Sequence, residues 1–275
     1  MSELLALHRH GPAIEQDGPL PLVLLHAFPL DSRMWEGVVA HLPELPVVTV
    51  DAPGFGSSPS PAAVAEALAR PADPSLETCA DAVAASLHSA GIGRAVVAGL
   101  SMGGYTVLAL AERHRSLLAG VGLLDTKAEA DADAARANRL RVAEEAEGPG
   151  GAAAVAPMVD QVLGATTHAE RPAVVDRVRG WLAEAPADGI AWGQRAMAGR
   201  PTRRSALEDL GVPALVLRGA EDETASQSAA QSMADALRDV EVVVVPRAGH
   251  MTAVEDPEAV AAALSALHER AEHRH

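Results

Sequence analysis

Six short runs of Val, Leu and Ala punctuate the chain, and polar or Ala-rich stretches separate them. The runs are LPLVLLHA (20–27), LPVVTVDA (45–52), RAVVAGL (94–100), AGVGLLD (119–125), VPALVLRG (212–219) and VEVVVVP (240–246). Their apolar positions are continuous rather than alternating, which predicts strands covered on both faces, as in a parallel sheet. Between them lie predicted helices at 33–42, 78–90, 102–113, 225–238 and 257–272. Strand alternating with helix is the signature of an α/β fold, with right-handed crossovers that put helices on both faces of the sheet.

Two stretches depart from this rhythm. The N-terminal LLALHRH followed by GPAIEQDGP reads as a small edge hairpin. Residues 127–207 contain no buried-strand run, only Ala/Glu/Arg-rich helical pattern broken by EGPGG, APADG and AGRPT. That is too long for an ordinary loop. It predicts a helical insertion, or cap, between the sixth and seventh strands, so that 1–126 and 208–275 form the core and 127–207 the cap. The segment SPSPAAVAEALARPADPS reads as a surface loop with one short helix, and the polar tail HERAEHRH as a frayed end.

Composition narrows the function classes. The chain has 275 residues, 48% of them apolar but only 2% aromatic, so the core is built mainly from Val, Leu and Ala. Lys and Arg total 22 against 37 Asp and Glu, a net charge of −15. So acidic a protein lacks the basic face that phosphate-backbone binding needs, and no nucleic-acid partner is expected. A single cysteine, Cys79, excludes an intrachain disulfide. No basic n-region precedes an apolar core at the N-terminus, and no apolar run approaches the roughly 20 residues that span a bilayer. A cytoplasmic protein with no membrane partner is the expectation.

The candidate chemistry lies where apolar runs stop. In AVVAGLSMGG a buried strand ends at Ala98 and an amphipathic helix begins near Met102. Ser101 therefore sits at the carboxyl end of a central strand, where open α/β sheets place ligands. Gly99 and Gly103 flank it in Gly-x-Ser-x-Gly spacing, which a tight nucleophile turn requires because neither position has room for a side chain. A serine hydroxyl needs a base, and the base an orienting carboxylate. After VPALVLRG comes AEDETAS with Asp222; after VEVVVVP comes RAGHM with His250, where Gly249 is expected to let the chain bend sharply. Asp125, at the end of another strand, is a second possible acid. An oxyanion needs two amide donors. Met102 supplies one, and Phe28, in the LLHAFPLD turn before Pro29, the other. His26 reads as a brace of that loop. No trustworthy metal-ligand spacing links the remaining histidines, and no cofactor is expected.

Taken together, HAFPLD, DAPGFGSS, GLSMGG, RGAED and RAGH resemble the α/β-hydrolase superfamily in order and spacing over nearly the whole chain. Within it the chain is most similar to small bacterial esterases, enol-lactonases and cofactor-free haloperoxidase-like perhydrolases. The resemblance implies an eight-stranded, mostly parallel sheet flanked by helices, a cap after the sixth strand, no metal or cofactor, and a Ser–Asp–His triad. Two departures stand out: Ala27 replaces a common glycine, and the acid loop GAEDETAS lacks a common proline.

The cap would close over Ser101, so specificity is expected from Met158, Val162, Trp181, Trp192 and Met197 together with Phe28 and Met251. Methionines adapt to irregular ligands, which suits small to medium apolar acyl groups. Arg195, Arg200, Arg203 and Arg204 read as a solvated basic face, although one turned inward would suit a substrate carboxylate. The helix AEADADAARANRLRVAEEAE reads as a source of surface ion pairs. These features predict a serine hydrolase acting on small-molecule carboxylic esters or lactones through an acyl-enzyme. The same triad also serves perhydrolysis, C–C bond hydrolysis or a biosynthetic cyclisation, which are the alternatives, and a vestigial triad would leave a ligand receptor.

Overall fold

The computed structural model describes residues 4–15 and 18–274. Its strands are β1 (Leu7–His10), β2 (Leu22–Leu25), β3 (Val47–Val50), β4 (Ala95–Leu100), β5 (Leu118–Leu124), β6 (Ala214–Gly219) and β7 (Val240–Val245). They form one sheet in the order β1–β3–β2–β4–β5–β6–β7. Only β1 runs antiparallel to its neighbour, β3; the other pairs are parallel. The chain moves outward from β2 to β3, then returns past β2 to β4. This reversal opens a crevice at the carboxyl ends of β2 and β4.

Period-two alternation divides the core. Leu22, Leu24, Val96, Ala98 and Leu100 pack on one face, with helix α7 (Pro257–Glu272). Val23, Leu25, Val48, Val50 and Val97 pack on the other, with α1 (Leu76–Ser89), α2 (Met102–Arg113) and α6 (Gln227–Ala236). Side chains start α1 and α7: Ser75 accepts from the Thr78 amide, and Asp256 from the Ala259 amide ahead of a first-turn proline. Between β5 and β6 every regular element is helical. The longest are α3 (Asp133–Glu147), α4 (Pro172–Glu184) and α5 (Ala187–Gly199), with α3 packed on α5. Among the described residues no helix is long and apolar enough to cross a membrane.

Four expectations change. Seven strands are present among the described residues, not eight. The N-terminal hairpin does not form: Gly11 turns away in the left-handed region (φ +71°), Pro12 has no amide to donate, and β1 pairs with β3 instead. Gln16 and Asp17, from the expected second arm, lie outside the described residues. The helical segment therefore follows the fifth strand rather than the sixth. Finally, β7 is an edge strand; Val242 and Val244 are 48% and 52% exposed, so a continuous apolar run did not mean burial on both faces there.

Candidate active site

Strand β4 delivers Ser101 into a backbone conformation that few non-glycine residues adopt, φ 53° and ψ −108°. The turn is that sharp because the strand and the following helix nearly touch. A Cβ on Gly99 would lie 2.2 Å from the Gly103 carbonyl carbon, and one on Gly103 would lie 2.1 Å from the Leu25 carbonyl oxygen. The Ser101 amide donates to Leu124 O (2.9 Å), and its carbonyl accepts from Thr126 Oγ1 (2.9 Å), so β5 fixes the turn from the side.

Two later loops meet this serine. His250 Nε2 lies 2.9 Å from Ser101 Oγ, and His250 Nδ1 lies 2.9 Å from Asp222 Oδ2. The other Asp222 oxygen accepts from the amides of Thr224 (2.7 Å) and Ala225 (2.9 Å). Burial alone would push the Asp222 carboxyl up, but His250 and these two amides hold it below its ordinary value. Burial likewise opposes charge on His250, yet Asp222 raises its ionisation above 6.5. With Asp222 ionised, Nδ1 carries the imidazole proton and Nε2 is free to accept from the Ser101 hydroxyl.

Close backbone crossings bring the loops together. A Cβ on Gly219 would lie 2.0 Å from Gly249 O, and one on Gly249 would lie 2.3 Å from Gly164 N. Gly249 is thus required by proximity to the helical segment, not by a bend; the left-handed residue of this loop is Arg247 (φ 58°). The buried Glu255 carboxylate ties the same crossing. It accepts from the amides on both sides of His250, Gly249 (2.9 Å) and Met251 (3.1 Å), and from Gly164 N (2.8 Å) and Thr167 Oγ1 (2.6 Å). The His250 amide itself donates to Val162 O at 3.0 Å.

Asp125 stands apart from this hydrogen-bonded chain. It is fully buried with φ 45°, accepts from the Gly219 amide (2.8 Å) and shares a hydrogen bond with the Thr252 hydroxyl. Burial pushes its carboxyl up to about 8, against the opposing pull of His250. His250 Nδ1 is bonded to Asp222 instead. Cys79, the lone cysteine, is buried and its thiol is pushed up to about 12 by desolvation, which makes it inert as a nucleophile.

Near Ser101, the Met102 amide opens α2, where the first-turn N–H groups have no intrahelical acceptor. Neither it nor the Phe28 amide has an acceptor among the described residues. His26 holds the Phe28 loop: Nδ1 donates to Ala27 O (2.9 Å) and Nε2 accepts from the Ala52 amide (2.9 Å). Burial depresses the ionisation of His26, which suits the neutral ring this arrangement requires. Among the described residues no group of three or more His, Cys, Asp or Glu is placed to hold a metal ion.

Ser101 and His250 open into a pocket of about 330 Å³ between the strand ends and the helical segment. Phe28, Met158, Val162 and Met197 line it as expected. Trp181, Trp192 and Met251 do not. Trp192 sits two positions from Gln194 on α5, about 200° around the helix axis, so when Gln194 and Met197 face the pocket Trp192 packs into the core. Trp181 lies on α4 and packs against the same core, while Met251 turns into it beneath His250. The lining is also more polar than the sequence suggested, since Tyr105, Asn138, Arg139 and Gln194 share it. The helical periodicity of 128–147 was the available signal: it places Asn138, Arg139 and Val142 on one side of α3, but nothing in it says which side faces Ser101.

The arginines also differ from a solvated face. Arg195 and Arg204 pair with Glu147 and Glu208 near the surface. Arg200 and Arg203 are buried: Arg200 holds Asp131 and lies 4.0 Å over the Tyr105 ring, and Arg203 pairs with Glu77 and Glu112.

The model of the Alpha/beta hydrolase family matches residues 22–263. A thermophilic esterase from Thermogutta terrifontis, solved with malate bound, superposes with a TM-score of 0.87 at 33% identity, over 97% of this chain and 93% of that one. The enol-lactonase from Burkholderia xenovorans LB400 superposes with a TM-score of 0.81 at 26% identity, over 96% and 95%. The 2-succinyl-6-hydroxy-2,4-cyclohexadiene-1-carboxylate synthase of Enterobacter sp. (strain 638) is 30% identical over 90% of each chain.

Proposed function

The chain belongs to the alpha/beta hydrolase family, and from that premise we propose that it is a serine hydrolase of carboxylic esters or lactones. The observation that carries the reading is the unbroken hydrogen-bonded chain from Ser101 Oγ through His250 to Asp222. In the first half-reaction Ser101 Oγ attacks the substrate carbonyl carbon while His250 Nε2 takes its proton. The carbonyl oxygen becomes an oxyanion that accepts from the Phe28 and Met102 amides. The C–O bond to the alcohol breaks, and the imidazolium returns its proton to the departing oxygen. Water then gives a proton to His250, attacks the acyl-enzyme carbonyl and releases the acid; Ser101 recovers its proton from His250. Asp222 holds the tautomer and balances the charge on the imidazolium throughout.

In the same reading 1–126 and 208–275 are the catalytic core and 127–207 is a cap that forms the outer wall of the pocket. The similarity to a named synthase favours one alternative, in which the same serine and histidine serve a biosynthetic cyclisation rather than hydrolysis. Product analysis separates the two, because only hydrolysis incorporates solvent oxygen into the released acid.

The decisive test is Ser101→Ala assayed on a short p-nitrophenyl ester, together with fluorophosphonate labelling of the parent protein. Loss of at least 10³-fold in kcat and labelling confined to Ser101 are expected. Undiminished hydrolysis by the alanine variant would refute the assignment.

A further inference from the structure

The far wall of the active-site pocket carries more positive charge than its own carboxylates neutralise. Asp131, 1% exposed at its side chain, is shared by three cations: Lys127 Nζ (3.0 Å), Arg139 Nε (2.6 Å) and Arg200 Nη1 (2.7 Å). Burial would raise the Asp131 carboxyl, yet Arg200 and Arg139 hold it far below the ordinary carboxylate range. Glu129 is the next acid close enough to act on Arg200. Three cations against two carboxylates leave an excess positive charge in a protein whose net charge is −15.

Arg139 brings that excess to the cavity. Its Nε is taken by Asp131 and its Nη1 by Gln194 Oε1 (3.1 Å), which fixes the guanidinium plane. Nη2 has no acceptor among the described residues, and the side chain keeps 21% exposure while lining the same pocket as Ser101. Arg200, 2% exposed and stacked on Tyr105, is committed to Asp131 and acts behind the wall. A guanidinium with two edges satisfied and one open is preorganised for an anionic oxygen. An acidic exterior repels anions generally, so a local cationic wall selects for an anion delivered into the pocket.

We propose that the substrate of this site is an ester carrying a free carboxylate remote from the scissile carbonyl, and that Arg139 binds that carboxylate. This rests on the serine-hydrolase reading and specifies its substrate class. The carboxylate belongs either to the acyl part, as in the half-ester of a dicarboxylic acid, or to the alcohol part, as in an acylated hydroxy acid. Gln194 and Asp131 position the guanidinium; Met158, Val162 and Phe28 cover the carbon chain between the two ends.

The test compares kcat/KM for monomethyl esters of linear diacids from succinate to suberate with methyl esters of monocarboxylic acids of equal carbon count. A second arm compares acetoxyalkanoates with alkyl acetates of equal length. The expected result is a preference for the carboxylate-bearing member of about 10- to 100-fold in one arm, with an optimum chain length, the size of one charge-assisted hydrogen bond. The arm showing the preference identifies the side that carries the charge. In Arg139→Met the preference ratio collapses to near one, and in Arg139→Lys it is partly restored. A role confined to holding the wall would lower both members of each pair equally and leave the ratio intact, which overturns the proposal, as does the absence of preference in both arms. Glutarate binding, read by NMR titration of the parent protein and Arg139→Met, requires no turnover. Equal affinity for the two proteins overturns the carboxylate site whatever the reaction. Conversely, Arg139-dependent glutarate binding in a protein that hydrolyses none of these esters and resists the fluorophosphonate sustains the anion site and rejects the hydrolase reading.

Discussion

The strand-end rim and the helical wall face each other across one pocket, but they are held in place by different means. At the rim the backbone does the positioning. Ser101, Gly99, Gly103, Gly219 and Gly249 sit where main chains approach so closely that no Cβ fits, or where φ is left-handed. At the wall side chains do it. Arg139 is aimed by Asp131 and Gln194, and Asp131 is itself held by Lys127 and Arg200. Backbone constraint tolerates almost no change; side-chain constraint admits substitution with graded loss. In the proposed reading the chemistry therefore occupies the rim, where little can change, and the selectivity occupies the wall, where more can.

The sharpest way to break that contrast is to add one methyl group to each region. Gly103→Ala would press a Cβ against the Leu25 carbonyl at 2.1 Å, a backbone atom that cannot swing aside. Gly193→Ala would meet no backbone, only the edges of the Phe28 and Phe55 rings at 2.9 and 3.6 Å, and a ring can tilt. The expected outcome is that Gly103→Ala fails to accumulate as folded protein or loses all esterase activity. Gly193→Ala melts within a few degrees of the parent and keeps its turnover within about tenfold. Thermal melts by circular dichroism and a p-nitrophenyl ester assay read both. Equal tolerance at the two positions would remove the distinction.

The same contrast explains what the sequence revealed. The rim was legible because its constraints are local and written in residue type: Gly-x-Ser-x-Gly at a strand end, a histidine after Ala-Gly, an acid three residues past β6. The wall was not. A helical period locates Asn138, Arg139 and Val142 on one side of α3 but cannot say which way that side turns, and Trp192 lost its place in the pocket to Gln194 for the same reason. The ion pair of Asp131 with Arg200 joins residues 69 positions apart, and no spacing rule predicts it. The edge strand β7 was misread because a continuous apolar run reports strand-forming tendency, not what covers it.

Within the rim the two acids should part by orders of magnitude. Asp222 bonds directly to His250 Nδ1, so Asp222→Asn removes both the tautomer control and the countercharge; a fall of about 10³- to 10⁴-fold in kcat is expected. Asp125 bonds to Thr252 and the Gly219 amide. Burial pushes its carboxyl up to about 8, which favours the protonated form at neutral pH. Asn at 125 keeps a neutral group of the same shape, and the expected loss is below tenfold. Steady-state kinetics on one ester settles the order. A larger loss at 125 than at 222 would reverse the assignment of the acid.

The smallest expected effect is a shift in ionisation, and it tests the electrostatics of the rim without requiring turnover. In the proposed reaction His250 must be neutral to take the Ser101 proton. Its ionisation lies above 6.5, so activity falls as pH drops through a value above 6.5, earlier than an unperturbed histidine would impose. Burial acts in the opposite sense, so the elevation comes from negative charge nearby. Asp222 supplies most of it and Glu255 a smaller part; an ionised Asp125 would add to it, but burial pushes the Asp125 carboxyl up to about 8, which opposes that addition at lower pH. Imidazole titration by ¹⁵N NMR, with the His250 signal identified from its absence in His250→Ala, separates the two sources. In Asp222→Asn the largest raising influence is lost, burial is opposed chiefly by the smaller pull of Glu255, and the His250 titration moves down. In Asp125→Asn it stays where it is. A matching drop in both variants would mean that Asp125 is charged in the resting protein and shares the work of holding the imidazolium.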